Sequence, residues 1–381
     1  MGMATAMETA TALEKPESGV DLVLVFNLGS SSLKVRLIDA GGDTLWQQSS
    51  SFESGQGGDG PLLGLDAWLP EALAPWLERI GLAAHRVVHG GDWFTTPTLI
   101  TPAVEEELSA LIPLAPLHNA GALAAIRWLR QWRPALPQWA CFDTGFHSTL
   151  EPAAFTYAVP ESWRWAGLRR FGFHGLNHQH ISEVVMAQHG HHHPSGLRLI
   201  SCHLGAGCSL AAIRDGRSID TTMGYTPLEG LVMASRSGSV DPGLLLHQLR
   251  AGLTVEELER QLQKESGLRG LSGLSGDMRQ LREAAATNHA GAALALEVFL
   301  HRLLQGIGAM AASLGGVDVI ALTGGIGEND TMIRSELAER LAWLEPFALV
   351  VVPADEEGMI NRLCRRANYD QAGQGSDAAG D

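Results

Sequence analysis

Residues 25–38 read VFNLGSSSLKVRLI. An apolar run carries one amide, Asn27, breaks at Gly29 and three serines, and resumes as a second apolar run. The pattern predicts two strands, 22–28 and 33–39, around a turn more polar than a short connection requires. Two explanations of that turn stay open. It is either an unusually polar hairpin or a seat for an anion. Successive backbone N–H groups in a tight Gly/Ser turn form a concave anion site, and serine hydroxyls add donors to it.

A second stretch echoes the first. Residues 201–210, SCHLGAGCSL, repeat the order strand, polar residue, Leu-Gly, small residues, Ser-Leu, strand. Both copies then reach an acid closely followed by glycine: Asp39 with Gly41, and Asp215 with Gly216. The second copy reads as one residue longer. Two domains built on one strand–turn–strand unit produce such an echo. Two such turns, facing each other, would hold the phosphates of one nucleotide between them.

Composition narrows the class. The 381 residues suffice for two domains, and 45% hydrophobic with 18% charged residues supports a packed core. A net charge of −15 argues against a nucleic-acid partner. Cysteines stand at 141, 202, 208 and 364 with no CxxC pair, so they read as buried thiols in a reducing compartment. No run of 18 apolar residues spans a membrane, and residues 1–19 lack a signal-peptide core. The expectation is a soluble cytoplasmic protein whose residues 1–20 and 371–381 are disordered.

The rest of the chain alternates strand and helix signals. A third strand is expected at 44–52, a loop at 53–60, and helical pattern near 66–80. AHRVVHGG (84–91) reads as a buried strand ending at two glycines, and QWACFD (138–143) as a strand ending in an acid. Helices are expected from Thr101-Pro102, from Asn119 to Arg133, from Thr254 with its Glu257 capping box, and over 288–314. HGHHHPSG (189–196) has Gly and Pro neighbours and no fixed scaffold for a metal, so it reads as a solvated loop. Strands are expected again at 197–202 and 317–322. GGIGEN (324–329) sits between the last of these and a helix expected from Asp330, where glycines let a nucleotide approach the backbone. Neither a P-loop nor a protein-kinase motif set is present.

Eleven motifs, in order, carry a resemblance. They are NLGSSSLK (27–34), HRVVHGG (85–91), APLHN (115–119), FDTGFH (142–147), RRFGFHG (169–175), HLGAG (203–207), DTTMGYTPLEGL (220–231), SRSGSVDPG (235–243), SGDMR (275–279), TGGIGEN (323–329) and PADEEGMI (353–360). The chain resembles the acetate kinase family of short-chain acyl kinases, in the sugar kinase, heat-shock 70 and actin superfamily. The resemblance implies an α/β fold of two similar ribonuclease H-like domains with a cleft between them. The acyl-kinase domain would be 21–148, with a return segment 357–370, and the nucleotide domain 149–356.

The implied activity is reversible transfer of the ATP γ-phosphoryl group to acetate, giving acetyl phosphate and ADP, with Mg2+ or Mn2+. A homodimer is implied as well. Arg86 and Arg236 would grip carboxylate and phosphoryl, Asp143 would orient, and His174 would donate to the phosphoryl. A short-chain acid is already ionised at neutral pH, so Asp143 is read as an orienter and not a base. Asn27 and Glu356 would anchor the metal. Lys34, His203, Leu204, Gly205, Ala206, Gly207, Asp277, Met278, Arg279, Gly325, Ile326, Gly327 and Asn329 would meet the nucleotide. Val88, Leu117, His118, Phe173 and Pro227, with Arg86, would surround the acyl group.

The chain departs from the family pattern at three places. Ala206 replaces an asparagine, Leu176-Asn177 replaces Thr-Ser, and Ser235 and Ser239 flank RSG. Weaker or altered nucleotide binding is the expected consequence. Rival readings are a propionate or other acyl kinase, a chaperone-like or filament-forming relative, and an inactive nucleotide-binding relative. A chaperone would carry a peptide-binding module, and none fits after residue 370.

Overall fold

The computed structural model describes residues 20–29, 32–51, 65–193 and 196–377. Ser30 and Ser31 of the opening turn, the 53–60 loop and residues 1–19 and 378–381 lie outside the described residues, as does the side chain of Leu117.

Eleven strands make two sheets among the described residues. The first contains β1 (Leu22–Leu28), β2 (Ser32–Ile38), β3 (Thr44–Ser51), β4 (Ile80–Val87), β5 (Thr98–Leu99) and β6 (Gln138–Phe142), in the order β3-β2-β1-β4-β6-β5. The second contains β7 (Arg198–Leu204), β8 (Cys208–Arg214), β9 (Arg217–Thr221), β10 (Val319–Thr323) and β11 (Ala348–Val351), in the order β11-β10-β7-β8-β9. β1 pairs antiparallel with β2 and parallel with β4; β7 pairs antiparallel with β8 and parallel with β10. The run β3-β2-β1-β4-β6 therefore repeats as β9-β8-β7-β10-β11. This is the duplicated ribonuclease H-like architecture of actin-like ATPases that the echo anticipated.

The echo misjudged one detail. Pairing of Leu28 with Leu33 leaves four residues in the first turn, 29–32. Pairing of Leu204 with Cys208 leaves three in the second, 205–207. The second turn is thus the tighter one, and Ser209 lies inside β8 instead of in the turn.

Central strands are apolar on both faces because helices cover both. One face of the first sheet offers Leu22, Leu24 and Phe26 to a core shared with Leu69 and Leu129. The other packs Val23, Val25 and Cys141 against Leu176, Ile360 and Cys364. In the second sheet, Ile200, Cys202 and Ile320 pack on Phe299, Leu303 and Ile307 of the helix Ala290–Leu314. Its opposite face packs Leu199, Ala211 and Val319 on Ile181 and Val185. Each fully buried Leu or Ile contributes about 1.5–3 kcal/mol. The helix Gly175–His189 serves both sheets, through Leu176 on one side and Ile181 and Val185 on the other.

Several boundaries differ from expectation. The helix expected from Asn119 runs Pro116–Trp132. Asn119 is no cap but a buried clamp: its Oδ1 accepts from the His89 amide at 3.1 Å, and its Nδ2 donates to the His89 carbonyl at 3.0 Å. GGIGEN is itself a helical turn, Gly324–Asn329, and a second helix follows with Asp330 as its cap. The last helix runs Glu356–Asp377, so 371–377 is helical where disorder was expected. Its apolar residues Ile360, Leu363, Cys364 and Ala367 pack on the first sheet, while 371–373 are exposed. The expected capping box of Thr254 and Glu257 is present. Ala290–Leu314 is long and apolar enough to cross a membrane by length and composition alone, yet one face lies in the second core. Trp93 is 83% exposed and packs in neither core.

Three buried histidines give the fold an acid-sensitive core. Burial pushes His85, His89 and His147 each down to about 4 from 6.5. They are uncharged in the folded chain, whereas the unfolded chain takes up protons below 6.5. Stability is therefore held above that pH and lost as pH falls from 6.5 toward 4, by up to about 1.4 kcal/mol per pH unit per histidine. Thermal melts from neutral pH to about pH 5 should show a falling midpoint. His85→Asn should melt lower at neutral pH but lose less on acidification; a parallel loss would contradict the account.

Candidate active site

β1 and β4 lie side by side and parallel, which brings Asn27 and Arg86 together. The Asn27 Oδ1 accepts from Arg86 Nη1 at 3.0 Å. Its Nδ2 donates to Glu356 Oε2 at 3.0 Å and to Glu357 Oε1 at 2.7 Å. The start of the last helix thus returns to the first sheet. Glu357 was missed; its signal was only a second acid beside Glu356. Burial raises the Glu356 carboxyl, but Arg86, His203 and Asn27 outweigh it and hold the group below its ordinary range. Lys34 Nζ stands 3.9 Å from Glu357 Oε1.

Asp143 follows β6, where its amide donates to the Val87 carbonyl at 3.1 Å. Arg86 Nε donates to both its carboxylate oxygens, at 3.0 and 3.1 Å, and Arg86 Nη2 adds a third bond. Burial pushes the Asp143 carboxyl up, and the Arg86 charge opposes it. Burial works against the Arg86 charge too, but Asp143, Glu356 and Glu357 together raise its pKa. Asp143 and Asn27 occupy one N–H on each of Arg86's three nitrogens, so two of the five on a guanidinium remain.

Arg236 is held differently. Its Nη1 donates to the Pro227 carbonyl at 2.7 Å, and among the described residues no carboxylate pairs with it. Burial, and then the Arg86 charge, lower its pKa. A methyl on Gly207 would stand 2.9 Å from Arg236 Nη2 and 3.3 Å from His174 Nε2, so only glycine keeps this approach open. His118 is pushed down to about 3, by burial first and then by the Arg86 and Arg236 charges.

His174 sits in left-handed backbone, φ 57°, just before the helix Gly175–His189. The Gly175 amide donates to the Asp143 carbonyl at 2.8 Å, and a side chain there would collide with that oxygen. The ring of His174 stacks on His203, with centroids 4.2 Å apart. Asn177 Nδ2 lies 2.8 Å from His203 Nδ1.

The two glycine segments of the second sheet also meet. Gly205 and Gly325 are near neighbours, and a methyl on Gly324 would strike the Leu204 carbonyl at 2.8 Å. Leu204 and Gly327 are buried between them, Ala206 and Asn329 lie at the surface, and Ile326 packs on the second core. Asp277 caps the helix Met278–Ala286 and pairs with exposed Arg279. Met278 itself turns into the second core. Val88 and Phe173 share that core's edge, with Pro227 half-buried nearby. Among the described residues no cluster of three or more His, Cys, Asp or Glu is gathered for a metal, the 189–193 histidines included.

A model of the acetokinase family matches residues 65–362. An acetate kinase from a Synechococcus species is 49% identical over 355 residues, covering 84% of this chain and 87% of its own. The chain belongs to the acetokinase family. Another acetate kinase, from Deinococcus radiodurans, is 44% identical, covering 92% of this chain and 88% of its own. Among solved structures, the Porphyromonas gingivalis acetate kinase superposes with a TM-score of 0.82 at 33% identity, covering 90% of this chain and 98% of its own. A propionate kinase from Francisella tularensis gives 0.81 at 34% identity with the same coverage.

Against the family pattern, the substituted residues have partners of their own. Leu176 is core, Asn177 holds His203, the Ser235 hydroxyl donates to the Gln263 carbonyl, and the Ser239 hydroxyl accepts from the Gly230 amide. Ala206 offers only its backbone, whose carbonyl accepts from the Ala234 amide at 3.0 Å.

The Arg86–Asp143 pair yields a stability test. Arg86→Ala should cost about 3–5 kcal/mol in urea unfolding, because it strands a buried carboxylate. Adding Asp143→Ala should restore part of that loss. A double variant less stable than Arg86→Ala alone would contradict the pairing.

Proposed function

We propose that this chain is a cytoplasmic acetate kinase, transferring the ATP γ-phosphoryl group to acetate, reversibly and with Mg2+ or Mn2+. One observation carries the reading. Arg236 is a half-buried cation with no carboxylate partner among the described residues, and it opens onto the same space as His174 Nε2. A cation withdrawn from water with donors to spare favours an anion there. A planar guanidinium suits a phosphoryl group or a carboxylate.

Phosphoryl transfer to a carboxylate needs positioning and charge neutralisation more than covalent chemistry. Arg86, clamped by Asp143 and Asn27, offers its two remaining N–H groups to the acyl carboxylate or the phosphoryl in flight. Arg236 and His174 face the equatorial oxygens. Val88, Phe173 and Pro227 form the acyl pocket, and His118 stands at its polar end. The nucleotide lies along Gly205–Gly207 and Gly324–Asn329, with Lys34 and His203 toward its phosphates and Asp277–Arg279 toward its ribose and adenine. Residues 21–148 with the returning helix form the acyl half, and 149–356 the nucleotide half.

The acidic pair fits a hard cation. Glu356 and Glu357 converge on the Asn27 amide nitrogen, with Arg36 at 3.4 Å and Lys34 at 3.9 Å from Glu357, and Mg2+ takes oxygen ligands. Asn27, Glu356 and Glu357 would hold it, and it would neutralise charge on the transferring phosphoryl group. A homodimer is also proposed. None of the helix Pro242–Arg250 is buried, and Leu244, Leu246 and Leu294 are each about half exposed.

The acyl length admits a second reading, favoured by the superposition on a propionate kinase. A small apolar pocket discriminates by only about 1–3 kcal/mol per methylene, so propionate should be used about 10- to 200-fold less well than acetate. Purified protein with Mg-ATP and formate, acetate, propionate or butyrate, with hydroxylamine trapping acyl phosphate, tests both readings. Signal should be greatest with acetate and fall about 10- to 150-fold in Arg236→Ala, the equivalent of one charge-assisted hydrogen bond. Stronger use of propionate would transfer the assignment to it, and no signal with any acid would refute acyl kinase activity.

A further inference from the structure

Behind His174 lies a buried chain of hydroxyls and imidazoles that the proposed reaction does not by itself require. His174 Nδ1 is 2.9 Å from Ser209 Oγ. The same hydroxyl is 2.7 Å from His178 Nε2. His178 Nδ1 is in turn 2.8 Å from Ser201 Oγ. His178, Ser201 and Ser209 are all fully buried.

Hydrogen counting restricts this chain severely. A hydroxyl has one hydrogen to give, and a neutral imidazole has one N–H and one bare nitrogen. Ser209 Oγ has no other acceptor for its hydrogen among the described residues, so it donates to one histidine and accepts from the other. In the first arrangement Ser209 donates to His174 Nδ1, and His178 holds its proton on Nε2 and donates it to Ser209. His178 Nδ1 is then bare and accepts from Ser201, and His174 carries its proton on Nε2. In the second arrangement every hydrogen bond reverses, and His174 Nε2 is bare. With neutral rings, all three bonds made and the Ser209 hydrogen used in one of them, only these two arrangements remain. The tautomer of His174 is thereby locked to that of His178.

The site selects between them. His174 Nε2 and Arg236 Nη2 flank the same point, the place a side chain on Gly207 would fill. An anion held there by Arg236 accepts hydrogen bonds and repels a bare nitrogen lone pair. It favours the arrangement with the proton on Nε2. Burial, then the neighbouring His203 and Arg86, keep His174 well below its ordinary pKa, so the ring stays neutral.

We propose that Ser209, backed by His178 and Ser201, is a positioning residue that fixes His174 as a neutral Nε2–H donor toward the anion beside Arg236. This deepens the phosphoryl-transfer reading and rests on it for the identity of the anion. It also makes a wholly buried imidazole, His178, report on occupancy of the cleft.

Long-range proton–nitrogen spectra of the full chain, with 15N-labelled histidine at neutral pH, test it directly. His174→Asn and His178→Asn assign the two rings, and saturating inorganic phosphate serves as the anion. Both rings should show Nε2–H and bare Nδ1 with phosphate bound. A His174 proton on Nδ1, or different tautomers in the two rings, would overturn the proposal. Kinetics supply a second readout. Ser209→Ala should lower kcat by about 3- to 13-fold, one hydrogen bond, with little change in KM, and Ser209→Thr should recover it. An equal effect on KM, or no recovery with threonine, would point to mere packing. If the wild-type chain forms no acyl phosphate, the proposed function fails, while the spectra still decide the tautomers.

Discussion

The site holds two half-buried guanidinium groups, and among the described residues only one of them has a carboxylate partner. Arg86 receives Asp143 and the amide of Asn27. Arg236 receives a single backbone carbonyl, from Pro227. The unmatched charge is tolerated because the surroundings hold it in place and leave one direction open. Gly207 clears that direction, and His174 looks along it. The site is thus a preorganised set of donors around a point where negative charge is to be placed, which is how electrostatic catalysis avoids reorganisation during reaction.

The duplicated fold makes that arrangement possible. Each sheet ends a central strand in a polar residue before a tight turn: Asn27 in β1, His203 in β7. The two residues diverged in task. Asn27 gathers Arg86 and two carboxylates from the far end of the chain, and His203 stacks against His174. Between the sheets, the helix Gly175–His189 is fixed to both cores, and its first amide is tied to Asp143. His174 is therefore registered against both domains at once.

Much of this was legible in the sequence, for physical reasons. Strands buried on both faces are near-continuous apolar runs, so β1, β4, β6, β7 and β10 stood out. The Thr101 and Thr254 caps were legible because a hydroxyl serving a helix start has a local signature. Partners distant along the chain were not. Asn27 meets Glu357 across 330 positions, and only the fold shows it. Asn119 looked like a helix start because its clamp on His89 reaches another segment. Ser209 looked like a turn residue until strand pairing set the turn one residue shorter. GGIGEN looked like a loop because glycine disfavours helix; here its backbone packs too closely on Leu204 for larger residues.

The central claim is that Arg236 is reserved for the group in transit and not for the nucleotide at rest. Calorimetric titration of Mg-ADP, with and without acetate and aluminium fluoride as a stand-in for the transferring phosphoryl group, tests it most directly. The account predicts that the wild-type chain binds ADP far more tightly when both additions are present. Arg236→Ala should bind ADP alone like the wild type and lose that gain. An equal gain in the variant would contradict the account.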